Sequence, residues 1–159
     1  MEAGNVEELL NKLRNGAAPV RYTAANRLGK LGDKTAVNYL LVALDDEDEK
    51  VADNVIFALA ELGDQKAVFP LMKVLKHSGS DRLRKSAAKS LGMLKSRDSV
   101  EALVAALKDP DFKVRKSAAR SLGQIGDRRA VPALRAAMAD TDFTVVKYVE
   151  DALDRLEGL

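Results

Sequence analysis

The stretch VRKSAARSLGQIGDRRAVPALRAAMADTDF, Val114 to Phe143, is one copy of a unit that recurs along the chain. At its centre stands LGQIGD, Leu122 to Asp127. LGKLGD lies at Leu28 to Asp33, LAELGD at Leu59 to Asp64, LGMLKS at Leu91 to Ser96 and LDRLEG at Leu153 to Gly158. The leading leucines are 31, 32, 31 and 31 residues apart. A fixed period in this range marks stacked units, none of which can bury its apolar face alone. The one longer step contains HSGSD, His77 to Asp81, a loop that absorbs a residue.

Each unit predicts two helices. In the first, helix A, Val114, Ala118, Leu122 and Ile125 recur at helical spacing and share one face. Gly126 follows, suited to the left-handed residue after a helix. In the third copy Lys95 takes that place, where a Cβ costs about 1 kcal/mol. A column of capping residues, Asp48, Ser80, Asp111 and Asp142, precedes helix A. In the second, helix B, the expected buried set is Val131, Leu134, the stem of Arg135, and Met138. It matches Val37, Leu40, Leu41 and Leu44 in the first full unit, and equivalent sets headed by Val68 and Val100. Asp33, Asp64, Ser96 and Asp127 are further capping types. Pro70 and Pro132 fit only a first helical turn, so helix B should begin a few residues beyond those caps.

One domain, 1–159, follows: a half unit 1–16, full units 17–47, 48–79, 80–110 and 111–141, and a closing half unit 142–159. Val6, Leu9, Leu10 and Leu13 repeat the helix B pattern at the start. In the last helix, Glu150 and Asp154 replace small or apolar residues of the columns Ala25, Ile56, Ala88, Ala119 and Gly29, Ala60, Gly92, Gly123. A polar outer face ends a stack, so the expectation is a chain complete at its C-terminus. The expected fold is all-α, a right-handed α-α superhelix of about nine or ten helices in pairs of about 31 residues.

VRKSAARSLGQIGDRRAVPALRAAM and VRYTAANRLGKLGDKTAVNYLLVAL resemble the HEAT-like repeat first described in phycobilisome lyases. The resemblance covers nearly the whole chain through its Val-Arg, Ala-Ala, Leu-Gly and Gly-Asp pairs. It implies a HEAT-like solenoid, armadillo-like in shape, with helices B lining the concave face and helices A the convex one. The family it points to includes bilin lyase subunits, a di-iron hydroxylase, DNA-repair proteins and adaptors. The resemblance also implies that Arg21, Arg84 and Arg115 pair with an Asp of a neighbouring loop; Ala52 breaks that column.

Composition narrows the function. Apolar residues at 47% argue against a disordered chain, and 31% charge beside abundant Ala and Leu reads as amphipathic helix. There is no Cys, hence no disulfide or thiolate site. No apolar run reaches the roughly 20 residues of a membrane span. The start, MEAGNVEELLNKLRNG, lacks a signal peptide's apolar centre. The expectation is a cytoplasmic monomer without membrane contact. The only histidine is His77 and no His-Glu pair exists, which excludes the iron site of the hydroxylase. DDEDE, Asp45 to Glu49, lacks the spacing and Gly of a calcium loop and reads as a solvated turn. No catalytic, cofactor-binding or metal residue is expected, and the chain is read as not an enzyme.

Partner surfaces remain. On helix B, the second, fifth and ninth residues after the leading Val should face away from the core. These include Tyr39, Val42 and Asp46; Pro70, Lys73 and His77; Ala102, Ala105 and Asp109; Ala133, Ala136 and Asp140. With Phe69 they make an aromatic and aliphatic patch passing into an alanine floor. The expected site is Tyr39, Val42, Phe69, Lys73, His77, Ala105 and Ala136, holding a protein or peptide segment; alternatively Tyr39 and Phe69 pack against neighbouring helices. Residues 82–135 hold 14 basic and five acidic residues, a balance of +9, while the rest carries −7. Lys85, Lys89, Lys116, Arg120 and Lys147 should share one ridge of helices A, without interleaved aromatics. That ridge is a solvated surface or a site for nucleic acid or an acidic partner. The leading expectation is a non-enzymatic adaptor; the alternatives are an accessory subunit of an enzyme such as a bilin lyase, and a nucleic-acid binder.

Overall fold

The computed structural model describes residues 3–158, with side chains for residues 6–158. Ten α-helices follow one another: α1 (Ala3–Asn15), α2 (Ala18–Leu31), α3 (Val37–Val42), α4 (Glu49–Leu62), α5 (Val68–His77), α6 (Asp81–Leu94), α7 (Val100–Ala106), α8 (Phe112–Ile125), α9 (Val131–Ala137) and α10 (Phe143–Glu157). No strand occurs among the described residues. Even-numbered helices are helices A and odd-numbered ones helices B. Together they form a HEAT-like α-solenoid.

The helix ends follow the expected capping. Asp48, Asp111 and Asp142 each accept two backbone N–H groups of the first turn of α4, α8 and α10, and Ser80 accepts one from α6. Helices B start late, as the prolines require. A 3₁₀ turn (Lys34–Ala36, Gln65–Ala67, Arg97–Ser99 or Arg128–Ala130) intervenes before each of α3, α5, α7 and α9. Asp33, Asp64 and Asp127 cap these turns, whereas Ser96 makes no such bond. Gly32, Gly63, Gly126 and Gly158 take the left-handed conformation; Lys95 does so at φ 51°, alone among the described non-glycine residues.

Two leucine columns form the core: Leu28, Leu59, Leu91 and Leu122 from helices A, and Leu40, Leu71, Leu103 and Leu134 from helices B, all at most 1% exposed. Val37, Val68, Val100, Leu75 and Leu107 of the expected helix B sets are buried as well, and the remaining members are less so. Leu41, Met72 and Val104 are half-buried, Met138 is 38% exposed, and Arg135 lies in solvent, reaching Glu157 at 2.6 Å. α9 is the last helix B, so no further helix of that layer stacks over Met138 and the Arg135 stem.

The two layers pack differently. Each helix A lies directly on the next, from α2 to α10, whereas helices B approach one another closely only at α5 and α7. Small residues allow it. A Cβ at Gly123 would stand 3.0 Å from the Cα of Ala152, and one at Gly29 would stand 2.8 Å from the Cα of Ala58. Ser121 lies in the same seam and donates its hydroxyl to the Ala88 carbonyl at 2.8 Å.

An ion-pair ladder runs along the inter-repeat loops. Arg21 grips Asp46 through Nε and Nη2, both at 2.7 Å, and its Nη1 donates to the Gly16 carbonyl. Arg84 holds Asp109 at 2.8 and 3.0 Å, and Arg115 holds Asp140 at 2.7 and 3.0 Å while donating to the Asp109 carbonyl. This is the pairing that the resemblance implied. In the second unit Ala52 replaces the Arg and His77 the Asp, so the ladder is interrupted. There Arg82 reaches Asp53 of the preceding helix A at 2.8 Å, and Ser86 donates to the same carboxylate.

Hydrogen bonds from Arg21 hold the Asp46 carboxyl below the usual carboxylate range, against a smaller upward push from burial; Arg115 does the same for Asp140. Hydrogen bonds from Arg129 bring Asp127 to about 2. Native values below unfolded ones mean stability that is present above about pH 4 and lost on acidification. Thermal melts should therefore fall progressively from about pH 4 toward pH 2; a flat profile there would show that the ladder contributes nothing. Lys95→Gly removes a strained Cβ and should raise unfolding free energy by about 1 kcal/mol in denaturant titration.

Candidate functional site

Helices B carry three open grooves. One of about 750 Å³ runs beside α3, lined by Leu13, Arg14, Tyr39 and Val42 and edged by Asp45 and Glu47. One of about 590 Å³ separates α3 from α5 and is lined by Leu41, Leu44, Phe69, Lys73 and His77. A third, about 570 Å³, separates α5 from α7 and is lined by Phe69, Met72, Lys73, Ala102 and Ala105. Phe69, 67% exposed, is thus the ridge between two grooves, and Val42 is 81% exposed. Tyr39 is partly covered, with the Arg14 guanidinium 4.5 Å over its ring. Ala136 is exposed on α9, outside these three grooves.

At three expected positions the side chain is taken up by the ion-pair ladder, although Asp46 and Asp109 still edge the first and third grooves. Asp46, Asp109 and Asp140 have side chains only 9% exposed, bound to Arg21, Arg84 and Arg115. Helical rotation was extended too far: α3, α7 and α9 end before the ninth residue, and the chain turns the carboxylate toward the loop.

Helices A bear the cations. Lys89, Arg120 and Lys147 are exposed, and Lys85 and Lys116 are half-buried. None of the five forms an ion pair among the described residues. The expectation that no aromatic interleaves with them is corrected. Phe57 of α4 lies 5.1 Å below the Lys89 ammonium, and Tyr148 of α10 lies 5.7 Å below that of Lys116. These contacts link neighbouring helices through residues 32 apart, so sequence adjacency could not reveal them. Arg120, Tyr148, Asp151 and Arg155 edge a cleft of about 200 Å³ between α8 and α10, floored by Gly123 and Ala152. Among the described residues no group of three or more His, Asp or Glu side chains could hold a metal ion, and no helix is long and apolar enough to cross a membrane.

The family model for HEAT repeats matches residues 6–92 and 68–154. Over 116 residues the chain is 39% identical to phycocyanobilin lyase subunit alpha of Picosynechococcus sp., covering 67% of this chain and 43% of that protein. Over 68 residues it is 41% identical to the bilin biosynthesis protein PecE of Nostoc sp., covering 42% of this chain and 27% of that protein. Among solved structures, a chain of the CpcE–CpcF complex of phycocyanin lyase from Nostoc sp. superposes with a TM-score of 0.85 at 27% identity, covering 97% of this chain and 65% of that one. The chain therefore spans less than half the length of these two sequence relatives. The likenesses overturn the leading expectation of a non-enzymatic adaptor and favour the alternative of a lyase subunit, since one relative is named a phycocyanobilin lyase subunit and the superposed structure is that of a phycocyanin lyase complex.

Phe69 and Tyr39 project from the stack without filling its core. The double variant Tyr39→Ala/Phe69→Ala should melt within a few degrees of the parent protein. A large drop on calorimetry would instead place these rings among the structural contacts.

Proposed function

The chain belongs to the HEAT-repeat family, and from that premise we propose that it is a non-catalytic subunit of a bilin lyase. The observation that carries this reading is the superposition of 97% of the chain on a subunit of the phycocyanin lyase complex. Its 39% identity to a phycocyanobilin lyase alpha subunit supports the same assignment. In this reading the reaction belongs to an assembly. The HEAT stack supplies rigid faces that hold a second subunit, the pigment and the acceptor protein in register.

The apolar grooves of helices B suit a protein partner. Phe69 offers an aromatic anchor between two grooves, Val42 extends the apolar surface, and Lys73 and His77 supply a polar edge. Exposed aromatics flanked by such grooves are the usual centres of binding energy in interfaces. The partner class is a second lyase subunit, by likeness to the CpcE–CpcF complex of phycocyanin lyase.

Co-expression with a second lyase subunit, a phycocyanin acceptor subunit and a phycocyanobilin supply tests the reading. A visible absorbance band on the acceptor should appear only when both lyase subunits are present. Tyr39→Ala/Phe69→Ala should weaken co-purification of the second subunit by about thirtyfold, the effect of losing about 2 kcal/mol at an aromatic anchor. Unchanged acceptor colour without this chain would overturn the assignment.

A further inference from the structure

The inner joints between helices A share one register. The residue after the leading leucine of one helix meets, on the next, the residue before the leucine and the one two beyond it. A Cβ at Gly29 would stand 2.8 Å from the Cα of Ala58 and against the Glu61 carboxylate. One at Gly92 would meet Ser121 and Gln124, and one at Gly123 would meet Ala152, with Arg155 at 3.7 Å. Among the described residues no helix A precedes α2 or follows α10. Carried one step beyond α10, the register sets Asp154 of one copy against Arg27 and Lys30 of another. Asp154 takes the place of Gly123, and Arg27 and Lys30 take those of Ala152 and Arg155. Glu150 joins them. It continues the column of Ile56 and Ala88, whose carbonyls accept from Ser90 and Ser121 in the column of Arg27.

The two end faces are opposite in charge and both are open. Arg27, Lys30, Glu150 and Asp154 are exposed, and none forms an ion pair among the described residues. Glu8 lies near Arg27 but is held by Lys12. On α10 the next charges are Asp151, which adds to the acids, and Lys147. In the inner joints the position of Lys147 is Asp53, which meets Arg82 and Ser86. The same register puts Lys147 opposite Pro19 and Thr23, which carry no charge. The α2 end also keeps an apolar edge bare. Val20 and Leu31 are 40% and 41% exposed, whereas their counterparts Val51 and Leu62, with α2 packed against their helix, are 0% and 4% exposed. α1 supplies a helix B and α10 a helix A, so each end offers what the other lacks. From this complementarity we propose that the protein stacks head to tail on a second copy of itself, α10 of one copy against α2 of the next. Glu150 and Asp154 pair with Arg27 and Lys30 across the joint. Long side chains stand where inner joints have glycine, alanine or serine, so the two helices lie further apart and the contact rests on charge and is screened by salt. The contact joins unlike faces, so further copies can add. It leaves the grooves around Phe69 free and does not rest on the lyase reading.

Sedimentation velocity of the full chain over a range of concentrations, at low and high salt, tests this. The average mass should rise with concentration at low salt and return to that of one chain at high salt, a comparison that needs no substitution. Arg27→Glu/Lys30→Glu and Glu150→Lys/Asp154→Lys should each self-associate about a hundredfold more weakly, since each sets like charges face to face. Mixed together, the two variants should associate again, because the reversed charges match; a general loss of structure would not be rescued this way. A single-chain mass at every concentration and salt, association by the reversal variants equal to that of the parent, or two folded variants that stay apart when mixed overturns the proposal. Loss of a second lyase subunit from either reversal variant, with this chain monomeric throughout, gives the end faces to that subunit and overturns the self-stacking.

Discussion

The structure depends on how closely successive helices A can approach. Glycine at 29, 92 and 123, alanine at 58 and 152, and serine at 121 form a seam in which backbones nearly touch. Dispersion contacts and serine-to-carbonyl hydrogen bonds replace large apolar side chains along this seam. That economy explains how a chain with only 4% aromatic residues builds a continuous core. It also sets the geometry of everything outside it, since residues at equal positions of neighbouring repeats become surface neighbours.

The ladder of Arg21, Arg84 and Arg115 locks the loops that join the repeats. Each guanidinium is shared between a carboxylate 25 residues on and a carbonyl of the preceding loop, so it couples two consecutive joints. The second unit lacks both members of the pair and uses Arg82, Asp53 and Ser86 between helices A in their place. With Lys95 strained in the next unit, the middle of the stack is held by a different set of contacts from its ends.

The two faces divide the chemistry. Helices B are short and set apart, and they leave apolar grooves around Phe69. Helices A are long and close, and they gather unpaired cations over two aromatic rings.

Much of this was legible in the residues themselves. The 31-residue period, the A and B helices, the capping column and the strained Lys95 follow from local rules, because helix spacing, caps and left-handed residues act over a few positions. The HEAT resemblance pointed to the Arg–Asp ladder, and the ridge of five basic positions on helices A was visible from the repeat itself. Other features depended on the stack. Only the fold shows that Asp46, Asp109 and Asp140 are held by the arginine ladder, because short helices B end before the ninth position. Only packing exposes Met138 and Arg135, sets helices A closer together than helices B, and slides Phe57 and Tyr148 under lysines a full repeat away. The period determines which residues are equivalent; the distance between neighbouring helices decides which of them meet.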